Sequence, residues 1–201
     1  MKLKRLLAFI LDMVIIYIVA NLLFMLCFNN QYEKFVNNSE KYMEKVQETI
    51  KKSDSNNASE LRENTKKISY DYIKSGTTET IIVLSLEIFY FIFVQYFNNG
   101  QTIGKKVFKL QVKQDTEKKL SAGLFVLRES ILFLIPIQII DVICLLTTKM
   151  NTYFAINTIT SNIQTLTNFA IIGFILFRKD GKGLHDLISH TEVIRLNKVE
   201  K

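Results

Sequence analysis

The chain has 201 residues, is 48% hydrophobic and 22% charged, and carries a formal net charge of +7. Its mean hydropathy of +0.15 conceals a segregation in which apolar residues form long blocks and charges lie between them, the pattern of transmembrane helices rather than of a soluble core. The cations flank apolar blocks without zinc-ligand spacing or an aromatic RNA-binding pattern, so membrane lipid is the expected partner and nucleic acid is not. Cys27 and Cys144 both fall in apolar blocks and read as small hydrophobes, with no metal or disulfide role expected.

The first block, 6–28, is long enough to cross a bilayer as one helix at 1.5 Å per residue. Lys2, Lys4 and Arg5 precede it, as in a signal peptide. Asp12 within the run, its length and the lack of a small-residue cleavage site argue that it stays attached. An ionised carboxylate at that depth costs on the order of 3 kcal/mol unless it has a partner or a task. Asp12 would lie roughly 9 Å into the hydrocarbon. Arg5, seven residues earlier, returns to nearly the same helix face about 10 Å away and is its expected partner.

The link 29–79 is near charge balance and too long for a simple connection. Tyr32, Val36, Met43, Val46 and Ile50 follow a helical spacing with Glu and Lys on the other faces, and Leu61, Ile68 and Tyr72 suggest a second helix beyond a polar break at 53–59. A helical hairpin and a partly helical solvated loop are both compatible with this pattern. Asn37-Asn38-Ser39 and Asn57-Ala58-Ser59 are formal glycosylation triplets in an Asn-rich stretch.

A second span, 80–97, contains Glu87. The region 98–130 is rich in lysine, with Lys105, Lys106, Lys109, Lys113, Lys118 and Lys119. Its Gly100-Gln101-Thr102-Ile103-Gly104-Lys105-Lys106 is one residue short of a phosphate-binding P-loop and has no Ser or Thr after the lysine, so it reads as a tight turn. Residues 120–130, with Arg128 and Glu129 among Phe125, Val126 and Leu127, are expected to lie along the membrane surface and turn inward near Ser130. The third span, 131–148, carries Pro136, Gln138 and Asp141. The fourth, 160–177, has a polar first half with Gln164, Thr165, Thr167 and Asn168, which is tolerable where it faces other helices or water. Pro136 is expected either to loosen the third helix or to be a tolerated kink.

Lys and Arg concentrate before the first span, between the second and third, and in the tail 178–201, which includes Lys198 and Lys201. These segments share one side if there are four spans, so both termini are expected to be cytoplasmic and the 29–79 insertion external. The expected fold is all-α: a polytopic bundle of about four transmembrane helices in a bacterial-type plasma membrane.

Glu87 and Asp141 each sit about 15 Å deep, near the midplane. With Asp12 they either line a path for a monovalent cation or proton or hold helices together through hydrogen bonds. In the tail, His185, Asp186 and His190 follow an Asp180-Gly181-Lys182-Gly183 turn. Adjacent His185 and Asp186 would point to different helix faces, which argues against a catalytic dyad, and Asp186 is expected to pair with Arg or Lys.

Three segments, taken together, resemble the RDD family of membrane proteins, named for one arginine and two aspartates. They are Arg5-x-x-Ala8-Phe9-x-x-Asp12, Gly100-Gln101-Thr102-x-Gly104-Lys105 and Gly183-Leu184-His185-Asp186-Leu187. The resemblance covers most of the chain outside 29–78 and makes Arg5, Asp12 and either Asp186 or Asp141 the named residues. It implies transport, with sodium/proton exchange proposed for some members.

Two functions follow as expectations. One is cation/proton exchange through Arg5, Asp12, Glu87, Asp141 and Asp186, supported by Gly100, Thr102, Gly104, Lys105, Arg128 and His185. Four spans are few for alternating access, so a homo-oligomer is then expected. The other is a non-transporting accessory, sensor or immunity-type protein that grips a partner protein through its external insertion. No cofactor is expected, and no nucleophile–base constellation supports an enzyme.

Overall fold

A computed structural model describes residues 1–51, 58–115 and 121–196. The Asn57-Ala58-Ser59 triplet, the polar break before Ala58, the loop residues Lys118 and Lys119 and the tail lysines Lys198 and Lys201 lie wholly or partly outside them. The chain is overwhelmingly helical.

Helix α1, Lys2–Cys27, buries Ala8, Asp12, Ile16, Ala20 and Phe24. Every fourth residue makes one stripe, so the rest of its apolar surface is left for lipid. After Phe28, α2 (Asn29–Lys51) and α3 (Ala58–Ser75) pack on each other as a helical hairpin. An aromatic seam fastens it to the bundle: Phe24 meets Tyr32 at 5.6 Å, Phe35 meets Tyr72 at 5.5 Å, and Tyr72 stacks on Tyr42 at 4.8 Å between ring centroids. Of the two readings open for 29–79, the helical hairpin is the one observed.

The second apolar block runs from Thr77 to Phe97 and packs on α1. It is α-helical from Thr77 to Glu87 (α4), becomes a π-helix over Ile88–Val94, and ends as α5 (Gln95–Phe97). A tight turn follows, with Gly100 at φ +76°. A Cβ there would lie 2.3 Å from the carbonyl oxygen of Val112, so glycine answers both the backbone angle and the close approach.

Short helix α6 (Ile103–Val107) leads to strand β1 (Leu110–Gln114). Its antiparallel partner, β2 (Thr191–Arg195), lies near the end of the chain, with Val112 opposite Val193 and Leu110 opposite Arg195. This two-stranded sheet was not expected from the sequence. Its inward residues Leu110, Val112 and Val193 pack with Ala8 and Phe125 into one of two apolar clusters. The other, deeper in the bundle, joins Ile16, Leu84, Phe91, Phe133 and Ile135.

Helix α7 (Ala122–Phe133) and α8 (Ile135–Thr147) are bent by 60° at Leu134, whose φ of +52° is left-handed. Two expectations change here. The inward turn comes at Leu134 rather than Ser130, because α7 is held inside the protein by Phe125, Arg128, Glu129 and Phe133, all buried. Pro136 stands in the first turn of α8 and starts that helix instead of loosening its interior.

Helix α9 (Met150–Phe177) is 28 residues long, beginning ten residues before the expected span, and packs chiefly on α8 and α10 (Leu184–Ile188). Among the described residues three helices are long and apolar enough to cross a membrane, and the bent α7–α8 pair makes up to four. Lys2 Nζ donates to the carbonyl of Leu176 at 2.7 Å, so the start of α1 and the end of α9 share one face of the bundle. At the opposite face Tyr70 of the hairpin donates to Thr148 O at 3.0 Å.

Candidate functional site

Two polar sites lie inside the bundle, one near the termini and one in the middle. The first begins with Asp12, which is 1% exposed. Its Oδ1 accepts from the Tyr90 hydroxyl at 2.6 Å and from Gly104 N at 2.7 Å, and its Oδ2 accepts from Thr102 Oγ1 at 2.5 Å. Glycine is required at 104 because a Cβ would lie 2.2 Å from Ala8 O and 2.8 Å from Asp12 Oδ2. Thr102 also caps α6, accepting from Lys105 N at 3.2 Å. The turn after the second span is thus folded around the carboxylate of α1.

Arg5 does not pair with Asp12. Its guanidinium donates to Asp186 Oδ2 at 2.6 Å and to Gly181 O at 2.5 Å. Asp12 has its three donors from the second span and the turn that follows it, while α10 presents Asp186 to the start of α1. Asp186 also accepts from Gly183 N at 2.9 Å and, through Oδ1, from Arg128 Nε and Nη2 at 3.1 and 3.0 Å. Arg128 Nη1 donates to Glu129 Oε1. Lys105, half-buried, donates to Gln95 Oε1 at 2.9 Å.

Arg5, Lys105 and Arg128 thus balance Asp12, Glu129 and Asp186 in one desolvated patch. Such a network is retained at a desolvation cost and is strongly destabilised when one partner is removed. Burial pushes the Lys105 ammonium down to about 8, with Glu129 opposing the shift. Burial works to raise the Asp186 carboxyl, but Arg128 and Arg5 outweigh it and hold it well below the usual carboxylate range. His185, pushed down to about 3 by burial first and Arg128 second, is neutral. Although neighbouring positions on a helix point about 100° apart, its Nε2 lies 3.4 Å from Asp186 Oδ1. Two buried atoms of this patch have no hydrogen-bond partner among the described residues: Glu129 Oε2 and His185 Nδ1.

The second site is a half-open cavity of about 480 Å³. Glu87, 4% exposed and midway along Thr77–Phe97, faces it with Glu79, Tyr17, Gln138, Gln164 and Asn168. Gln138 Nε2 donates to Glu87 Oε2 at 3.3 Å and to Phe133 O at 2.8 Å. Gln164 and Asn168 account for polarity in the first half of the fourth span: they line the cavity.

The three intramembrane acids do not share one path. Asp12 is enclosed by Tyr90, Thr102 and Gly104, Glu87 lines the cavity, and Asp141 accepts from Thr160 Oγ1 at 2.6 Å between α8 and α9. Sequence reading did not single out Glu79, Tyr90, Gln95 or Glu129 as site residues. Only Glu129 had a signal, a lone acid beside Arg128 in an apolar stretch.

The RDD family model matches residues 2–190, a stretch that contains Arg5, Asp12, the turn at Gly104 and Asp186. This chain belongs to the RDD family. No curated protein and no solved structure matches it. In this RDD protein Arg5 and Asp186 are in direct contact, whereas Asp12 is held by Thr102 and Gly104 of the turn rather than by pairing with Arg5. Asp141, the other candidate for the second aspartate, lies apart with Thr160. With its apolar helices, the family match identifies a multi-pass integral membrane protein.

Proposed function

We propose that this RDD protein is a carrier, or a carrier component, that exchanges a monovalent cation of the Na⁺ type for a proton. The observation that supports the reading most is Glu87, a carboxylate midway along a membrane-length helix that faces a polar cavity. A carboxylate at that depth is costly unless it is neutralised by a proton or a cation. Either charge state is therefore stabilised by its occupant, which suits exchange of one for the other. Glu79, nearer the hairpin end of the same helix, gives the cavity a second carboxylate along the way.

In this reading the Arg5–Asp186–Arg128 network is a positioning device that holds the termini side shut, and that side is cytoplasmic because the lysines and arginines gather there. The membrane is a bacterial-type plasma membrane. Four spans call for a second copy, and the exposed polar residues Thr158, Asn162 and Thr165 on α9 suit such a neighbour. The reading includes no enzymatic step.

Purified protein in liposomes loaded with a pH-sensitive dye tests the carrier. A Na⁺ pulse should move protons, and Glu87→Gln should abolish the signal while the protein stays monodisperse in detergent. Flux no greater than in empty liposomes would end the proposal.

A second reading draws on the helical hairpin, which a carrier of this size does not need. With 23 residues in α2 and 18 in α3, it offers a surface rich in Glu and Lys to a partner protein. Deleting Glu40–Asp71 would then abolish capture of that partner without changing membrane insertion, and an unchanged capture would reduce the hairpin to a linker.

A further inference from the structure

Beside the cavity is a set of aromatic rings, of which Phe133 lines it and Phe91 is buried behind, while Phe9 is partly exposed on the outside of α1. Phe91 and Phe133 stack with centroids 4.1 Å apart, and Phe9 stacks on Phe133 at 5.9 Å. Phe133 and Phe9 each lie about one α-helical turn from a carboxylate of the charged patch, and Phe91 lies in the π-helical segment that follows Glu87. Phe91 follows Glu87 by four residues, Phe133 follows Glu129 by four, and Phe9 precedes Asp12 by three. One helical turn is about 5.4 Å. Phe133 lines the cavity that Glu87 also lines, and Glu129 lies one turn before Phe133 on α7.

Glu129 itself is unusual. It is 0% exposed, its Oε1 accepts from Arg128, and its Oε2 has no hydrogen-bond partner among the described residues. A buried acceptor left without a donor normally costs on the order of 1–3 kcal/mol, more when it is charged. Apolar replacement or a second donor would remove that cost. The packing around it leaves no surface open to a hydrated metal ion, whereas a proton needs none. The charged groups that act on it are Arg128 on its own helix and Lys105 on α6, and these in turn face Arg5 and Asp12 on α1 and His185 and Asp186 on α10.

We propose that Glu129 Oε2 is a proton-binding site on the termini side of the bundle, and that the Phe91–Phe133 stack is the gate between it and the cavity of Glu87. The inference rests on the carrier reading for its purpose, though not for its geometry. When the rings part, water joins the two carboxyls. A proton then leaves the carboxylic acid of Glu87, restoring its carboxylate, and binds Oε2 of Glu129. When the rings close, the path is dry. The π-helical segment that carries Phe91 has a looser backbone register than an α-helix, and such segments are frequent at functional positions.

Access and flux test the proposal separately. In a Cys27→Ser/Cys144→Ser background in oriented liposomes, a membrane-impermeant methanethiosulfonate is added on the hairpin side. Glu87→Cys should react with the gate intact. Glu129→Cys should react at least about tenfold more slowly, and gain at least about tenfold in rate when Phe91→Ala and Phe133→Ala are added. Equal rates at both positions with the rings present, or no gain when both rings are removed, would overturn the gate. Should Glu129→Cys fail to fold, the near-isosteric Glu129→Gln replaces it. It should abolish dye-reported proton movement, whereas Phe133→Ala should add a Na⁺-independent proton leak. Undiminished flux in Glu129→Gln would overturn the proton site. If no variant or wild type shows flux but the labelling pattern holds, the carrier reading fails and the access barrier stands. Flux with labelling indifferent to the rings would overturn the gate and leave the carrier standing.

Discussion

Gly104 N donates to Asp12 Oδ1 at 2.7 Å across 92 positions of sequence. That contact brings the backbone of α6 onto α1 so closely that a Cβ at 104 would meet a main-chain oxygen, which cannot swing aside as a side chain could. Gly104→Ala should therefore lose about 1–3 kcal/mol or more, the scale of an overpacked core. Thermal unfolding in detergent reads it, and an unchanged midpoint would mean that the turn is not seated on α1.

Asp186 is the hub of the charged patch, accepting from Arg5, Arg128 and Gly183. Asp186→Asn leaves the Arg5 guanidinium without its counter-charge and Arg128 with Glu129 alone, and should cost about 3–5 kcal/mol. Arg128→Met should be as damaging alone, but combining it with Glu129→Gln should recover part of the loss, since the second change removes an uncompensated carboxylate. Strictly additive losses in the double variant would show that the two side chains act independently.

Acid should loosen this patch before it affects the rest of the protein. His185 is pushed down to about 3 in the fold from its ordinary 6.5. Between those values the unfolded chain binds the proton and the folded one does not, so stability rises with pH across the window and falls on acidification through it. Asp186, whose folded carboxyl is depressed, adds a further loss as the pH drops below its ordinary 3.8. Melting midpoints followed from about pH 7 to about pH 4 should decline in wild type and decline less steeply in His185→Gln.

The alkaline side carries a slope of the same sign. Lys105 sits at about 8 against 10.5 when free. From pH 8 to 10.5 the unfolded lysine keeps a proton that the folded one has lost, and stability rises with pH. Lys105→Met should flatten that rise. A wild-type profile already flat over this range would show the ammonium to be hydrated.

Tyr90→Phe removes a donor to Asp12 and an acceptor for Ile103 N at 2.9 Å. Because one partner is an aspartate, the cost should be about 1.5–3 kcal/mol. Detergent melting curves check it against Tyr96→Phe, whose hydroxyl has no such carboxylate partner among the described residues.

Hydropathy and charge segregation located the membrane helices well, because burial in lipid demands long apolar runs whatever the tertiary contacts. The hairpin helices followed from their periodicity. What failed were inferences that treated each helix alone. Arg5 and Asp12 share a helix face, yet Arg5 reaches Asp186 because residues far along the chain fill the space around Asp12. Strands β1 and β2 were invisible for the same reason: five residues alternating in burial become a strand only beside a partner about eighty positions away. Pro136 and the bend at Leu134 show a local limit, since a proline marks a helix start or a kink with the same letter. The π-helix leaves no mark at all among Ile, Phe, Tyr and Val.

The bond between Arg5 and Asp186 spans 181 positions. Arg5 and Asp12 therefore leave the ribosome long before the residue that neutralises the first of them. The nascent first helix must enter the bilayer with its arginine and its aspartate both waiting, one for the arrival of residue 186 and the other for the turn at 102–104. Chains stalled or truncated between those points would carry that burden permanently, which makes them natural targets for membrane quality control.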